Sequence, residues 1–456
     1  SILDCGTLAM ARKPRRRPTT QAGRFMRLTG MTASLATRMA GQRVRGSFQS
    51  DADRAQSREE FMRELGQEVA ATLGEMKGAV MKVGQVASQM QDILPDEVSE
   101  ALSVLQKAST PMPFSVIRKQ LRQELGDEPE NLFAHFDEAP FAAASIGQVH
   151  RAQLNDGTEV AVKVQYPAVK ESIDSDMRHL RRILRLGGLL KVDAETLDAI
   201  FDEIRQQLAE ELDYEQEAAH LTEFRRFHQH QPWLIIPEVI PERSTDKVLT
   251  LTYESGDDLE TVATSERYDQ ATRNLLGQRL FDAISEQIFF HCALHGDPHP
   301  GNFAFRPDGS LIIYDFGAIK RIPDEDTATF RRLMRAALDR DFNALEEALK
   351  ALGIRKQGGP EVESEFYAGW VDLFMPVFGE EPFDFADSRL HVHLAQKTRS
   401  TPWRYLESFQ PSPRTLLIDR VLGGHYWTLK KLGVRTAFRA QLEHYLQADQ
   451  IGRAHV

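Results

Sequence analysis

The chain has 456 residues with a formal net charge of −11, and 41% hydrophobic with 27% charged residues is the balance of a soluble globular protein large enough for two packed lobes. No run reaches the roughly 18 apolar residues of a membrane-spanning helix, and two cysteines, Cys5 and Cys292, cannot build a disulfide framework, so a reducing compartment is expected. Residues 11–50 hold ten Lys or Arg and no Asp or Glu; setting them aside takes the charge of the remainder from −11 to −21, which argues against a nucleic-acid partner for the main body.

The basic arm over residues 1–50 has three readings: attraction to anionic lipid, a mitochondrial presequence, or a disordered tail. The chain opens on Ser1, with Met10 a more natural start, and Ile451 to Val456 reads as a translated sequencing adaptor that is set aside. Ser57 and Glu60 form a capping box. Phe61, Leu65, Val69, Leu73, Met76, Val80, Val83, Val86 and Met90 then recur at helical spacing, which predicts one long amphipathic helix stopped near Pro95. A second helix is predicted after Pro113, through Val116, Ile117, Leu121 and Leu125 to Gly126. Residues 148–154 and 158–165 read as two strands joined by Asn155-Asp156-Gly157, a strong hairpin signal. In the second strand Val160, Val162 and Val164 share one face and Lys163 takes the other. Helices are predicted over 168–190, 194–229 and 270–293, a strand over 248–253, short strands around 295–302 and 315, and helix thereafter. A small β-rich unit followed by a helical one is an α+β plan with two lobes.

Three stretches carry chemistry. Lys163, mid-strand in Val160-Ala161-Val162-Lys163, is on its own compatible with a solvent-facing alternate position. The octapeptide His295-Gly296-Asp297-Pro298-His299-Pro300-Gly301-Asn302 places Asp297 five residues before Asn302, the spacing of a catalytic Asp and a metal-holding Asn in kinases. Thirteen residues on, the apolar run Leu311-Ile312-Ile313-Tyr314 delivers Asp315-Phe316-Gly317, an Asp entering a Gly-terminated turn that suits magnesium between phosphates. A competing reading takes His295, Asp297 and His299 as zinc ligands. It lacks a cysteine cluster to complete the set, so the histidines are expected to shape the loop.

With these motifs in order, the chain resembles the UbiB/AarF family of atypical kinases, including its coenzyme Q biosynthesis members, over roughly residues 24–440. Further motifs carry the resemblance. Lys82-Val83-Gly84-Gln85 matches the family's Lys-x-Gly-Gln signature; by periodicity alone Lys82 and Gln85 are polar residues at the rim of an amphipathic helix. Ala142-Ala143-Ala144-Ser145 stands where protein kinases carry a glycine-rich phosphate loop, and alanine makes it stiffer. Glu211-Leu212-Asp213 with Glu217 matches the family's acidic motif, although such a run is otherwise a solvated face; Asp213 and Glu217, four apart, are expected to share a helix face. Val248 to Tyr253 is similar to the strand entering the adenine-gripping hinge, with Thr252 where relatives commonly carry Glu. Arg24 to Gly41 resembles the amphipathic N-terminal segment of the coenzyme Q subgroup.

The resemblance implies a bilobal protein-kinase-like fold. A helical extension over residues 51–130 would cover the active site, followed by a small lobe over 131–255 and a helical large lobe over 256–450. It implies ATP and Mg2+ as cofactors. Lys163, Ala143, Ala144 and Ser145 would meet the phosphates, with Glu217 paired to Lys163 and Leu251 and Tyr253 at the adenine. Asn302 and Asp315 would hold the metal, and Asp297 would orient the attacking oxygen. Lys82, Gly84 and Gln85 would meet Glu211 and Asp213 to regulate access. The expected activity is ATP hydrolysis or phosphoryl transfer in ubiquinone biosynthesis, with a lipid or quinone precursor, an anionic membrane surface and quinone-biosynthesis proteins as partners. The expected location is peripheral to the inner membrane, on the cytoplasmic side in a bacterium (preferred) or the matrix side in a mitochondrion. The rivals are a small-molecule kinase of the aminoglycoside or choline type and a nucleotide-sensing lipid-binding scaffold without turnover.

Overall fold

The structure is a computed structural model that describes residues 111–447, apart from Ser145 and all but a few positions of 168–210. The basic arm, the predicted helix over Phe61 to Met90 with Lys82, Gly84 and Gln85, and Ser145 lie outside the described residues. The chain divides into two units, residues 1–155 with 162–212, and residues 156–161 with 213–456.

In the first unit α1 (Phe114–Leu125) begins after Pro113, as predicted, and buries Ile117, Gln120 and Leu121. It stops at Gly126, whose φ of 83° turns its N–H back onto the Arg122 carbonyl. The short helix α2 (Pro129–Leu132) leads to β1 (His135–Phe136), β2 (Ala142–Ala144) and β3 (Gly147–Gln153). Both β1 and β2 pair antiparallel with β3. The hairpin to β4 (Glu159–Gln165) forms where predicted, with the Asp156 side chain accepting from Thr158 N–H at 2.9 Å. Val160, Val162 and Val164 are all fully buried. Within this unit the strand order is β1-β3-β4, with β2 on β3, and the division between units runs through β4.

The second unit opens with α3 (Tyr214–Phe227), and here the sequence reading needs correction. The expected continuous helix over 194–229 is broken at Asp213, whose φ and ψ are −99° and 84° and whose carboxylate accepts from Gln216 N–H at 2.9 Å. Asp213 is therefore the cap of α3 and not part of it. It is exposed while Glu217 is buried, so the two do not share a helix face.

Next come β5 (Leu234–Ile235), β6 (Val248–Thr252), α4 (Leu259–Thr264) and α5 (Gln270–Phe289). The last ends four residues short of the expected 293 because the chain reverses at Cys292, held at φ 50°, to start β7 (Ala293–His295). Two more strands, β8 (Phe303–Phe305) and β9 (Leu311–Ile313), form an antiparallel hairpin, and β5 adds to β9 in parallel. Antiparallel pairing of β7 with β10 (Ile319–Arg321) sets His295 opposite Ile319.

The remainder is mainly helical, as expected: α6 (Asp324–Asp339), α7 (Phe342–Ala351), α8 (Ser364–Phe374), α9 (Leu390–Ser400), α10 (Trp403–Leu406), α11 (Leu416–Leu432) and α12 (Arg439–Gln447). A small antiparallel pair, β11 (Phe383–Asp384) with β12 (Arg435–Thr436), interrupts it. Ala336, Ala337, Leu345, Val362, Tyr367 and Val371 make one core of this region.

Candidate active site

The loop between β7 and β8 is organised around Asp297. One carboxylate oxygen accepts from Asn302 Nδ2 at 2.9 Å and the other from His299 N–H at 3.2 Å. Because Asn302 spends its amide nitrogen on Asp297, its amide oxygen is the end left to meet a cation. His299 is exposed, and its Nδ1 accepts from Gly301 N–H at 3.1 Å. His295 is 1% exposed and donates from Nε2 to the Asp315 carbonyl at 2.5 Å. These two histidines shape the loop, as expected, and among the described residues no group of three or more His, Cys, Asp or Glu converges on a metal cage.

Asp315-Phe316-Gly317 is held from two sides within the second unit. His295 bonds the Asp315 carbonyl, and His220 of α3 donates from Nδ1 to the Phe316 carbonyl at 3.0 Å. The Phe316 ring is fully buried between Phe224, at 5.0 Å, and His295, at 5.2 Å edge-on. One oxygen of the Asp315 carboxylate accepts from Gly317 N–H at 2.9 Å, which closes the turn. Arg321 then makes a bidentate pair with Glu223 of α3, at 3.0 and 2.5 Å.

Tyr314 joins this turn to the segment after β6. Its N–H donates to the Asn302 carbonyl at 2.9 Å, and its hydroxyl donates to the Glu254 carbonyl at 2.8 Å. Burial pushes the phenol up to about 12, so it remains a donor at neutral pH. Arg306 fastens the same segment, with Nε on the Ser255 carbonyl and Nη2 on the Glu254 carboxylate, both at 2.8 Å. Leu251 is buried in β6, and Tyr253 N–H bonds the Glu159 carbonyl at 2.8 Å.

Beneath the loop lies α11. Arg420 donates to the Gly296 carbonyl at 3.3 Å, and a Cβ on Gly424 would come within 2.5 Å of the Pro298 side chain, so only glycine lets the helix seat there. His425, one residue on, packs edge-on against Phe303 at 5.5 Å. Its burial, with His295 nearby, pushes the imidazole down to about 3 and keeps it neutral.

In the first unit Lys163 is half-buried on β4, opposite the valine face. Ala142–Ala144 is a short strand and not an open loop, with Ala143 opposite Gln148 and Ala144 opposite Gly147. A Cβ on Gly147 would fall 2.3 Å from the Val164 carbonyl oxygen, and Tyr166 N–H bonds the Ile146 carbonyl at 2.9 Å. The end of this hairpin is therefore pressed onto the strand that carries Lys163. Glu211 is half-buried just before Leu212, whose carbonyl accepts from Gln165 Nε2 at 2.8 Å.

The second unit thus brings together Asp297, Asn302 and Asp315, three residues that the sequence reading had singled out. That reading missed His220, Tyr314, Gly424 and Gln148. Only His220 left a signal, standing one turn after Glu217 on the same helix.

A family model for the ABC1 atypical kinase-like domain matches residues 104–349, more than half of the chain. The chain belongs to that family. Its fold is the α+β protein-kinase-like one. The mitochondrial atypical kinase COQ8 of Saccharomyces cerevisiae is 35% identical over 280 residues, covering 61% of this chain and 55% of that protein. COQ8 of Schizosaccharomyces pombe is 29% identical over 440 residues, covering 94% of this chain and 70% of that protein. Among solved structures, that of Rv3197 from Mycobacterium tuberculosis, a complex with erythromycin, matches with a TM-score of 0.62 at 28% identity, covering 86% of this chain and 98% of that one. The chain spans about half the length of the first curated relatives it matches. No helix among the described residues is long and apolar enough to cross a membrane.

Proposed function

We propose that the chain is an ATP-using enzyme of the ABC1 family, an ATPase or phosphotransferase, that serves ubiquinone biosynthesis. The observation that carries the reading is the tethering of Asp297, Asn302 and Asp315 to one hairpin, β8–β9, by the Asn302–Asp297 and Tyr314–Asn302 hydrogen bonds. The Asn302 amide oxygen and the Asp315 carboxylate are hard oxygen donors, which suit magnesium, an ion that takes one or two protein oxygens and fills its shell with phosphate and water. When bound, the ion offsets the charge of the phosphates. Asp297, steadied by Asn302 and His299, would orient the acceptor hydroxyl or water and take its proton.

The remaining roles rest on family likeness. Lys163 would neutralise phosphate charge with Glu217 as its partner. Ala143, Ala144 and Ser145 would line the phosphates, and Leu251 and Tyr253 the adenine. Lys82, Gly84 and Gln85, with Glu211 and Asp213, would limit access by protein acceptors. Relatives that bear the COQ8 name support a quinone-pathway role. The relative solved with erythromycin supports a small organic ligand over a protein one. The ten positive charges of residues 11–50 support peripheral attachment to an anionic membrane in a mitochondrion or bacterium.

The test is magnesium-dependent ATP hydrolysis by the full chain, with and without anionic liposomes and a phenolic quinone-precursor mimic. Turnover should rise with both additions and fall by about 100-fold or more in D315N. Hydrolysis equal in D315N and wild type would end the proposal, and stimulation by choline or an aminoglycoside instead would replace it with the small-molecule-kinase reading.

A further inference from the structure

We infer that Gln148 is a positioning residue that locks the β2–β3 strand pair to the chain arriving from the N-terminal extension. The inference rests on reading the Ala142–Ala144 segment as part of the phosphate site. Gln148 is fully buried, and both ends of its side-chain amide are used on one residue 36 positions away. Its Oε1 accepts from Met112 N–H at 2.8 Å, and its Nε2 faces the Met112 carbonyl at 3.4 Å. The side chain thereby pairs with a peptide as a neighbouring strand would. Its other Nε2 hydrogen points to His150 Nε2 at 2.9 Å.

The histidine fixes which way round the amide sits. His150 is fully buried, with its ring against Phe136 at 5.2 Å and Phe114 at 6.0 Å. Its Nδ1 lies 2.8 Å from the Asp137 carbonyl, which can only accept, so the proton is on Nδ1 and Nε2 must accept from Gln148. Every polar atom of the pair is then matched, and no other side chain matches them all. A carboxylate at 148 has no hydrogen for Met112 or His150, and an aliphatic side chain leaves three partners unbonded.

The same residue's backbone is opposite Ala143, and its neighbour Gly147 is pressed onto Val164. Movement of the chain at Met112, immediately before α1, is therefore passed through one side chain to the backbone of the Ala-rich segment. The extension and the phosphate site are coupled at Gln148.

The experiment uses full-length wild type, Q148L and M112P, the last removing the N–H that Gln148 accepts while leaving β3 untouched. Two quantities are measured on folded protein: the MgATP dissociation constant, and amide hydrogen exchange of Ala142–Ala144 without nucleotide. Q148L should weaken MgATP at least tenfold and speed that exchange at least tenfold, and M112P should move both in the same direction by at least threefold. A Q148L protein with a lower unfolding midpoint but unchanged MgATP affinity and exchange has lost only a structural bond, and the inference falls. Wild type that binds no MgATP would instead remove the nucleotide reading, which is a different result from variants that bind as wild type does.

Discussion

Tyr314 shows how much one atom carries in this site. Its neighbour Asp315 and its hydrogen-bonded partner Asn302 are the two residues assigned to the metal, and its hydroxyl reaches the Glu254 carbonyl beyond β6. Y314F deletes that single donor and keeps the ring. Losing a part-buried hydrogen bond costs about 0.5–1.5 kcal/mol, which corresponds to a KM for MgATP raised by up to about tenfold. Turnover should stay within about twofold of wild type, because the hydroxyl touches no reacting atom. Steady-state kinetics separate the two: a fall in kcat with unchanged KM would show that Tyr314 acts elsewhere. At this scale the sequence displays the groups proposed to react and hides their supports. Asp297, Asn302 and Asp315 stand in short motifs because the proposed chemistry demands those side chains at that spacing. Tyr314, His220 and Gln148 bond main-chain groups 60, 96 and 36 residues away, and a carbonyl is the same in every residue, so nothing in the partner's identity betrays the contact.

At the scale of elements, α3 is the part that holds the Asp-Phe-Gly turn. It does so by the His220 bond to Phe316, by the Phe224 ring, and by the Glu223–Arg321 pair. Only Ala318 to Pro323 lie between this turn and α6, and three of those six residues are β10, so there is no room for a long phosphorylatable segment to move α3 in and out. The contacts are unequal. The Glu223–Arg321 pair is partly exposed, and exposed pairs contribute about 0–1 kcal/mol. His220 meets the Phe316 carbonyl, next in sequence to Asp315, the carboxylate proposed to hold the metal. H220A should lower kcat by about tenfold or more, whereas E223Q should stay within about threefold. Equal losses in both, measured under saturating MgATP, would mean that α3 is held by the ion pair instead. The boundaries of α3 illustrate what was legible. Helix α1 and the β3–β4 hairpin follow directly from Pro113, Gly126 and Asn155-Asp156-Gly157, residues whose backbone preferences are local. The break at Asp213 was also written locally, as an Asp three residues before Gln216 in a capping arrangement, but the polar run around it satisfies helical periodicity and masks the stop.

For the molecule as a whole, the neutral histidines buried in the second unit make stability depend on pH with a definite sign. Burial pushes His228 down to about 4 despite Glu286 beside it, and His425 down to about 3. An unfolded histidine takes up its proton near pH 6.5. Between that value and the depressed ones the unfolded chain binds more protons than the folded chain, so the stabilisation is complete above about pH 6.5 and is lost as pH falls toward 4 and 3. Glu286 adds the same sign lower down. Its burial would raise its carboxyl, but His291, His228 and His230 together hold it below its usual value, so its contribution fades under about pH 4.5. Each histidine contributes at most about 1.4 kcal/mol per pH unit, and the unfolding midpoint should drop by about 5–10 °C between pH 6.5 and 5. His425 supplies the control. Neither of its ring nitrogens has a hydrogen-bond partner among the described residues, so H425F removes a titrating group without breaking a bond. The H425F midpoint should vary less steeply over this range, by about half if the two histidines contribute equally. Thermal unfolding of the two proteins at half-unit pH steps decides it, and parallel slopes would mean that His425 is protonated, or exposed, in the folded state.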